Sequence, residues 1–298
     1  MRVTMNTLFD QIRTDLGRLT DRIARTSSTI TSGKIYRRPS DAPVALTHAL
    51  ALRGDIADGE QYSRNISYGR GWAAATESAL SQVEDRLLRA KSLAVQGAND
   101  TQDATSRAAI AEEVQTLLEE VVALGNTKMG DRYIFGGQKT RGYGPGEAPF
   151  VLDRDGAVRY LGDQGDVAVD VAPGVAQKIN TDGKTALADS GAFEALDLLH
   201  DSLLADSNAN IEIALADLEK SLDYLRSQVA GLGARTNTLD NRAAMIDELT
   251  FTDTERLSDI EDTDIVKAVA DLQALQTSYQ AALASAAKVT GLSLVNYI

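Results

Sequence analysis

The sequence predicts a mainly α protein: a long antiparallel helical bundle with paired N- and C-terminal coiled-coil arms and a small β-rich insertion domain. Three observations predict it. Apolar residues recur at three- and four-residue steps along both flanks of the 298-residue chain, which is the spacing of a helical seam. That periodicity vanishes in the middle, where Gly130 to Gly191 holds 12 of the 23 glycines and three of the five prolines. The two chain ends are apolar helices with nothing adjacent in sequence to cover them.

The N-terminal arm, 1–38, carries Leu8, Ile12, Leu16, Leu19, Ile23 and Ile30, with Thr26 interrupting. A long helix is expected after Pro39-Ser40-Asp41-Ala42-Pro43, with Ser40 or Asp41 as N-cap and Pro43 in the first turn. Thr76, Leu80, Val83, Leu87, Ala90 and Ala94 continue its seam to about Gly97, with a kink possible near Gly69. Asn99-Asp100-Thr101 makes a turn, and Ile110, Val114, Leu117, Val121 and Leu124 mark a returning helix. Segments 39–129 and 191–250 thus read as the two parts of the bundle. The second part contains the most regular seam: Ile211, Leu215, Leu218, Leu222, Leu225, Val229, Leu232, Leu239 and Ile246. A shorter helix, about Ala192 to Leu204, precedes it.

The insertion, 130–190, reads as strands. Phe150-Val151-Leu152 and Val158-Arg159-Tyr160-Leu161 flank Asp155-Gly156 as a hairpin, and Val167 to Val171 alternates. Phe150, Tyr160 and Val169 are expected to close a small core of their own, facing outward. The last segment, 251–298, is read as an acidic linker followed by the C-terminal arm. Asp247, Glu248, Asp253, Glu255, Asp259, Glu261, Asp262 and Asp264 crowd the linker. Asp262 or Asp264 suits the N-cap of the arm. The arm bears two stripes: Ile265, Val269, Leu272, Tyr279, Leu283, and Ala268, Leu272, Leu275, Ala282, Ala286, Val289. Only Lys267, Asp271 and Lys288 are charged in it. A helix apolar on so much of its circumference expects protein around it. The assembly interface is therefore assigned to Ile12, Leu16, Leu19, Ile23 and Ile30 with Ile265, Val269, Leu272, Leu275, Tyr279, Leu283 and Val289.

The net charge of −13 argues against nucleic acid as a partner, since no basic cluster would neutralise phosphates. No cysteine means no disulfide or thiolate site. No apolar run reaches the ~20 residues needed for membrane insertion. Gly142, Gly144 and Gly146 lack the Lys-Ser/Thr of a phosphate loop and read as a turn. Asp153 and Asp155-Gly156 lack the remaining calcium ligands. His48, His200 and Trp72 read as structural. No catalytic residue, metal site or cofactor is assigned.

Several motifs resemble the flagellin superfamily, and within it the hook–filament junction group. The start Met1-Arg2-Val3-Thr4 is similar, as are Gly33-Lys34-Ile35 with the Pro39–Pro43 run and Leu88 to Asp100 at the end of the long helix. Ala42 stands where the family usually has a second aspartate. The discriminating motif is Tyr133-Ile134-Phe135-Gly136-Gly137, followed by Pro149-Phe150 and Tyr160-Leu161-Gly162-Asp163; Ser293 to Ile298 adds to it. The resemblance implies a non-catalytic flagellar component outside the cell. It would be exported by the type III apparatus without a cleaved signal. Expected partners are further copies of itself, a neighbouring hook-associated junction protein, flagellin and an export chaperone. The arms would be unpaired in the monomer and fold on assembly. A filament-forming flagellin is the alternative, and a soluble coiled-coil adaptor a more remote one.

Overall fold

A computed structural model describes residues 5–36, 38, 40–99, 103–144, 146–153 and 156–295, with side chains described for residues 7 and 10–288 among these. Its elements are helices α1 (Met5–Ser32), α2 (Pro43–Gly97), α3 (Ala104–Gly125), α4 (Gly183–Ala186), α5 (Ala192–Leu204), α6 (Asn208–Glu261) and α7 (Ile265–Val295). Strands β1 (Lys128–Met129), β2 (Arg132–Tyr133), β3 (Phe150–Leu152), β4 (Val158–Tyr160), β5 (Ala168–Ala172) and β6 (Val175–Lys178) lie between α3 and α4. They form three separate antiparallel hairpins, β1–β2, β3–β4 and β5–β6. The chain divides into two compact units, Gly59–Glu248 and Met1–Asp58 with Leu249–Ile298.

In the unit Gly59–Glu248, ion pairs set the helix register. Arg70 meets Asp240, Glu84 meets Arg226 and Lys91 meets Glu219. Each step forward along α2 is matched by an equal step back along α6, first of 14 residues and then of seven. This is an antiparallel pair in constant heptad register. Arg86–Glu120 and Arg89–Glu113 align α3 antiparallel to α2 as well, with a step of three residues along α2 against seven along α3. Exposed pairs of this kind contribute little stability, about 0–1 kcal/mol each, so they select register while the apolar seam supplies the energy. Asp103 caps α3, its carboxylate accepting the Ser106 N–H at 2.7 Å.

The seam residues are buried as the periodicity requires. Leu80, Val83, Leu87, Ile110, Val114, Leu117, Val121, Ile211, Leu218, Leu222 and Leu225 all belong to one core. Trp72 is fully buried in it, a packing residue as expected. α2 runs through Gly69 without a break. A Cβ at Gly69 would meet the Ile179 side chain at 2.9 Å, so this glycine admits the insertion against the helix.

Three expectations are corrected here. The insertion does not close a core of its own. Phe150, Phe135, Ile134, Ile179 and Leu187 lie in the same core as Trp72 and Leu118, and Phe150 packs against Phe193 of α5 with the rings tilted by 45° and their centroids 5.3 Å apart. Three two-stranded hairpins bury too little apolar surface alone, so they borrow the bundle. Second, the acidic stretch is not a linker: α6 continues to Glu261. No glycine or proline interrupts 234–264, and Leu249, Leu257 and Ile260 sustain a helical pattern through it. Third, β1, β2, β6 and α4 were not anticipated, because two- to four-residue elements carry almost no period. Of the expected turns, Asp100, Thr101 and Asp155 lie outside the described residues, as do Pro39, Met1 to Thr4 and Asn296 to Ile298.

Candidate assembly surface

The unit Met1–Asp58 with Leu249–Ile298 is built differently. Helices α1 and α7 pack on each other, so the arms are paired within one chain. Their junction is a clasp. Gly33, with φ of +69°, turns the chain out of α1. The Ile35 N–H then donates to the Glu261 carbonyl at 2.7 Å, and the Thr263 N–H to the Gly33 carbonyl at 2.9 Å, around the antiparallel bridge Lys34–Asp262. Charges close it. The Lys34 ammonium lies 2.6 Å from Asp262 and 3.3 Å from Glu261, and Arg53 lies 2.7 Å from the same Glu261 oxygen. The Glu261 side chain is 4% exposed. Hydrogen bonding to Asp262 raises the Lys34 pKa, and the bond from Lys34 lowers that of Asp262. Asp264 begins α7, accepting the Lys267 N–H at 3.0 Å. The clasp brings the C-terminal end of α1 to the N-terminal end of α7, so the two arms run antiparallel.

The arms bury their seams only in part. Ile12, Leu16, Leu19, Ile23 and Ile30 are half-buried along α1, and Leu272, Leu275 and Tyr279 are half-buried along α7. A shallow groove between the helices is lined by Arg22, Arg25, Thr26, Asp271, Leu275 and Ser278. The two stripes of α7 are therefore not equivalent. Ala268 is buried, and Leu272, Leu275, Tyr279, Ala282 and Ala286 are half-buried. The stripe that begins at Ile265 stays open except at Leu272 and Tyr279: Ile265 is 44%, Val269 38% and Leu283 44% exposed, with Val266 beside them at 82%. Sequence reasoning grouped both stripes as one interface and missed Val266. It also missed Arg53 and Glu261, whose roles depend on a contact across more than 200 residues. The side chains of Leu8 and Val289 lie outside those described. Among the described residues of this unit, the only buried apolar side chains are Ala49 and Ala268. Two alanines are not a core.

The Tyr133–Gly137 motif is in the other unit, where it anchors the insertion. Tyr133 is half-buried and Ile134, Phe135, Gly136 and Gly137 are buried. Gly137 has φ of +72°, and a Cβ there would fall on the backbone of Asp163. The Asp163 carboxylate accepts N–H groups from Gln138, Lys139 and Gly165 at 2.7–2.9 Å. Burial pushes its pKa up, but these three donors outweigh that and hold it below the ordinary value. The Tyr160 hydroxyl lies 2.8 Å from the Phe135 and Asp163 carbonyls and accepts the Gly183 N–H at 3.2 Å. Burial raises the pKa of Tyr160, so it remains a neutral donor.

No group of three His, Asp or Glu among the described residues is arranged to hold a metal. No described helix is long and apolar enough to cross a membrane. A model of the bacterial flagellin N-terminal helical region matches residues 3–140, and one of the bacterial flagellin C-terminal helical region matches 215–298. The chain belongs to the flagellin superfamily. Both matched regions include an arm and bundle helices, and the unmatched stretch between them holds most of the insertion. The chain is 28% identical over 286 residues to flagellar hook-associated protein 3 of Escherichia coli K12, which covers 89% of each chain. Its fold is similar to that of Bacillus cereus FlgL, with a TM-score of 0.59 and 25% identity over 70% of this chain and 99% of that one. It is also similar to the fold of hook-associated protein 3 from Legionella pneumophila, with a TM-score of 0.63 and 15% identity over 70% of this chain and 98% of that one.

Proposed function

We propose that this chain is a structural subunit of the bacterial flagellum that assembles at the junction between hook and filament. One observation carries the mechanism: among the described residues of the arm unit only Ala49 and Ala268 are buried apolar side chains, while α7 turns Ile265, Val266, Val269 and Leu283 to solvent. Apolar area of this kind is stabilised when other protein covers it, at about 25 cal/mol per Å². Copies packing side by side would cover it, so folding of the arms and assembly reinforce each other. The interface set of Ile12, Leu16, Leu19, Ile23, Ile30, Ile265, Val269, Leu272, Leu275, Tyr279, Leu283 and Val289 then has two layers. The inward stripe pairs the arms, and the outward stripe meets neighbours.

In this reading 1–38 and 251–298 are the assembly arms, 39–129 and 191–250 the rigid bundle, and 130–190 an outward-facing insertion. The kinship with hook-associated protein 3 across 89% of both chains supports the junction reading over that of a filament flagellin. The neighbouring junction protein, flagellin and an export chaperone are the partners this reading requires. Export through the flagellar type III apparatus is the route this reading gives it to the cell exterior. The decisive experiment is complementation of a strain lacking this chain, with cryo-electron microscopy of isolated hook ends. Restored filaments, with density for the chain between hook and filament, are expected. Density along the filament instead, or detached filaments despite export of the protein, would overturn the reading.

A further inference from the structure

In a chain of net charge −13, one short segment is basic. Residues 128–141 carry Lys128, Arg132, Lys139 and Arg141 against Asp131 alone. Arg141 is neutralised by Asp131 at 2.6 Å. The two lysines lie against aromatic rings, and the Lys139 ammonium also donates to the Leu161 carbonyl at 3.4 Å, within electrostatic reach of the Asp163 carboxylate. The Lys128 ammonium sits 4.3 Å from the Tyr133 ring centroid and that of Lys139 4.4 Å from Tyr143. The two rings meet edge to face at 5.2 Å. A ring face orients an ammonium group without cancelling its charge. The array is therefore a preorganised pair of exposed cations, about 14 Å apart at most given these ring distances. Preorganisation removes part of the entropic cost that flexible lysines incur on binding.

The same unit carries a complementary surface on α3. Glu113 and Glu120 are taken by Arg89 and Arg86. Glu112 and Glu119 are exposed and form no ion pair among the described residues. Seven residues separate them, about 10.5 Å along a helix, below the upper limit that the ring distances set on the lysine separation. Thr116 and Ala123, small and exposed, continue the same face and leave room for a hairpin to approach.

We propose that the Lys128–Tyr133–Tyr143–Lys139 array of one copy docks on the Glu112/Glu119 stripe of a second copy. The proposal deepens the self-assembly reading and rests on it. The two surfaces occupy different places on the chain, so the contact is heterologous. Such a contact propagates head to tail into a ring or helix and does not close as a dimer. It is also separate from the apolar arms, giving assembly a salt-sensitive, register-setting component beside a hydrophobic one.

The test uses the purified full chain and two charge reversals. One variant carries Lys128→Glu with Lys139→Glu, the other Glu112→Lys with Glu119→Lys. All four positions lie at the surface, and Trp72 fluorescence melts verify folding. Sedimentation at low salt should show wild-type self-association, with about a tenfold weaker dissociation constant for either variant alone. Association of each variant alone sets the contribution of the arms. Mixed together, the variants should regain association as assemblies in which the two alternate, because array and stripe are oppositely charged in both directions between unlike chains and alike in charge between like chains. A chain carrying both reversals should recover wild-type association. In parallel, carbodiimide cross-linking of mixed ¹⁵N-labelled and unlabelled wild type should join Lys128 or Lys139 peptides to Glu112 or Glu119 peptides between copies. No pairing in the mixture, or no inter-copy cross-link, overturns the inference even if the wild type complements the null strain. Failure of that complementation instead removes the junction reading.

Discussion

Two glycines seven residues apart, on either side of β2, allow the Tyr133–Gly137 motif to be measured. Gly130 and Gly137 both have positive φ, +64° and +72°. A Cβ at Gly130 has nothing within 4 Å, whereas at Gly137 it would strike Asp163. Alanine at either position carries the left-handed backbone penalty of about 1 kcal/mol. At Gly137 the Asp163 loop must also move, disturbing a carboxylate that accepts three N–H groups. Losing two of these, partly replaced by water, adds about 2 kcal/mol. Gly130→Ala should therefore cost about 1 kcal/mol and Gly137→Ala about 3 kcal/mol. In a unit of about 190 residues, that corresponds to roughly 2–4 °C against 6–12 °C in melting temperature. Trp72 is the only tryptophan in the chain and is fully buried in this unit's core, so its fluorescence reports the unit directly. Equal losses for the two variants would refute the packing argument and leave only backbone strain.

Further tests separate the two units. Leu222→Asp places a charge in the buried seam of α6 and should cost several kcal/mol, about 4 or more, abolishing the Trp72 transition; an unchanged melt would show the seam is not the core. Leu275→Asp and Val266→Asp should both block filament attachment while leaving the Trp72 melt in place. They should differ in the arms, with only Leu275→Asp making α1 sensitive to trypsin at Arg22 and Arg25; normal filaments with either change would show that stripe is not used in assembly. The Asp163 pKa lies below its ordinary value of 3.8, so its contribution is fully present above that value and is lost as pH falls through the folded one. Between about pH 5 and pH 2 the wild-type melting temperature should fall more steeply than that of Asp163→Asn, and parallel curves would rule the carboxylate out as a structural acceptor.

Periodicity is local, and what depends on periodicity was legible in the sequence. The seams of α1, α2, α3, α6 and α7, the β3–β4 hairpin and the buried Trp72 follow from spacing, caps and composition. The Tyr133–Gly137 motif marked the family, whereas the arms, expected to be unpaired in the monomer, pack on each other within one chain. Tertiary structure decided the rest, because contact energies between distant segments leave no local trace. It extended α6 through a stretch whose charges alone resembled a linker, and merged Phe150 and Ile179 into the bundle core. It joined Lys34 and Arg53 to Glu261, a pairing that no spacing announces. It also chose between the two stripes of α7. Both are apolar in sequence, and only the register of the clasp decides which one faces α1 and which is left for a neighbour.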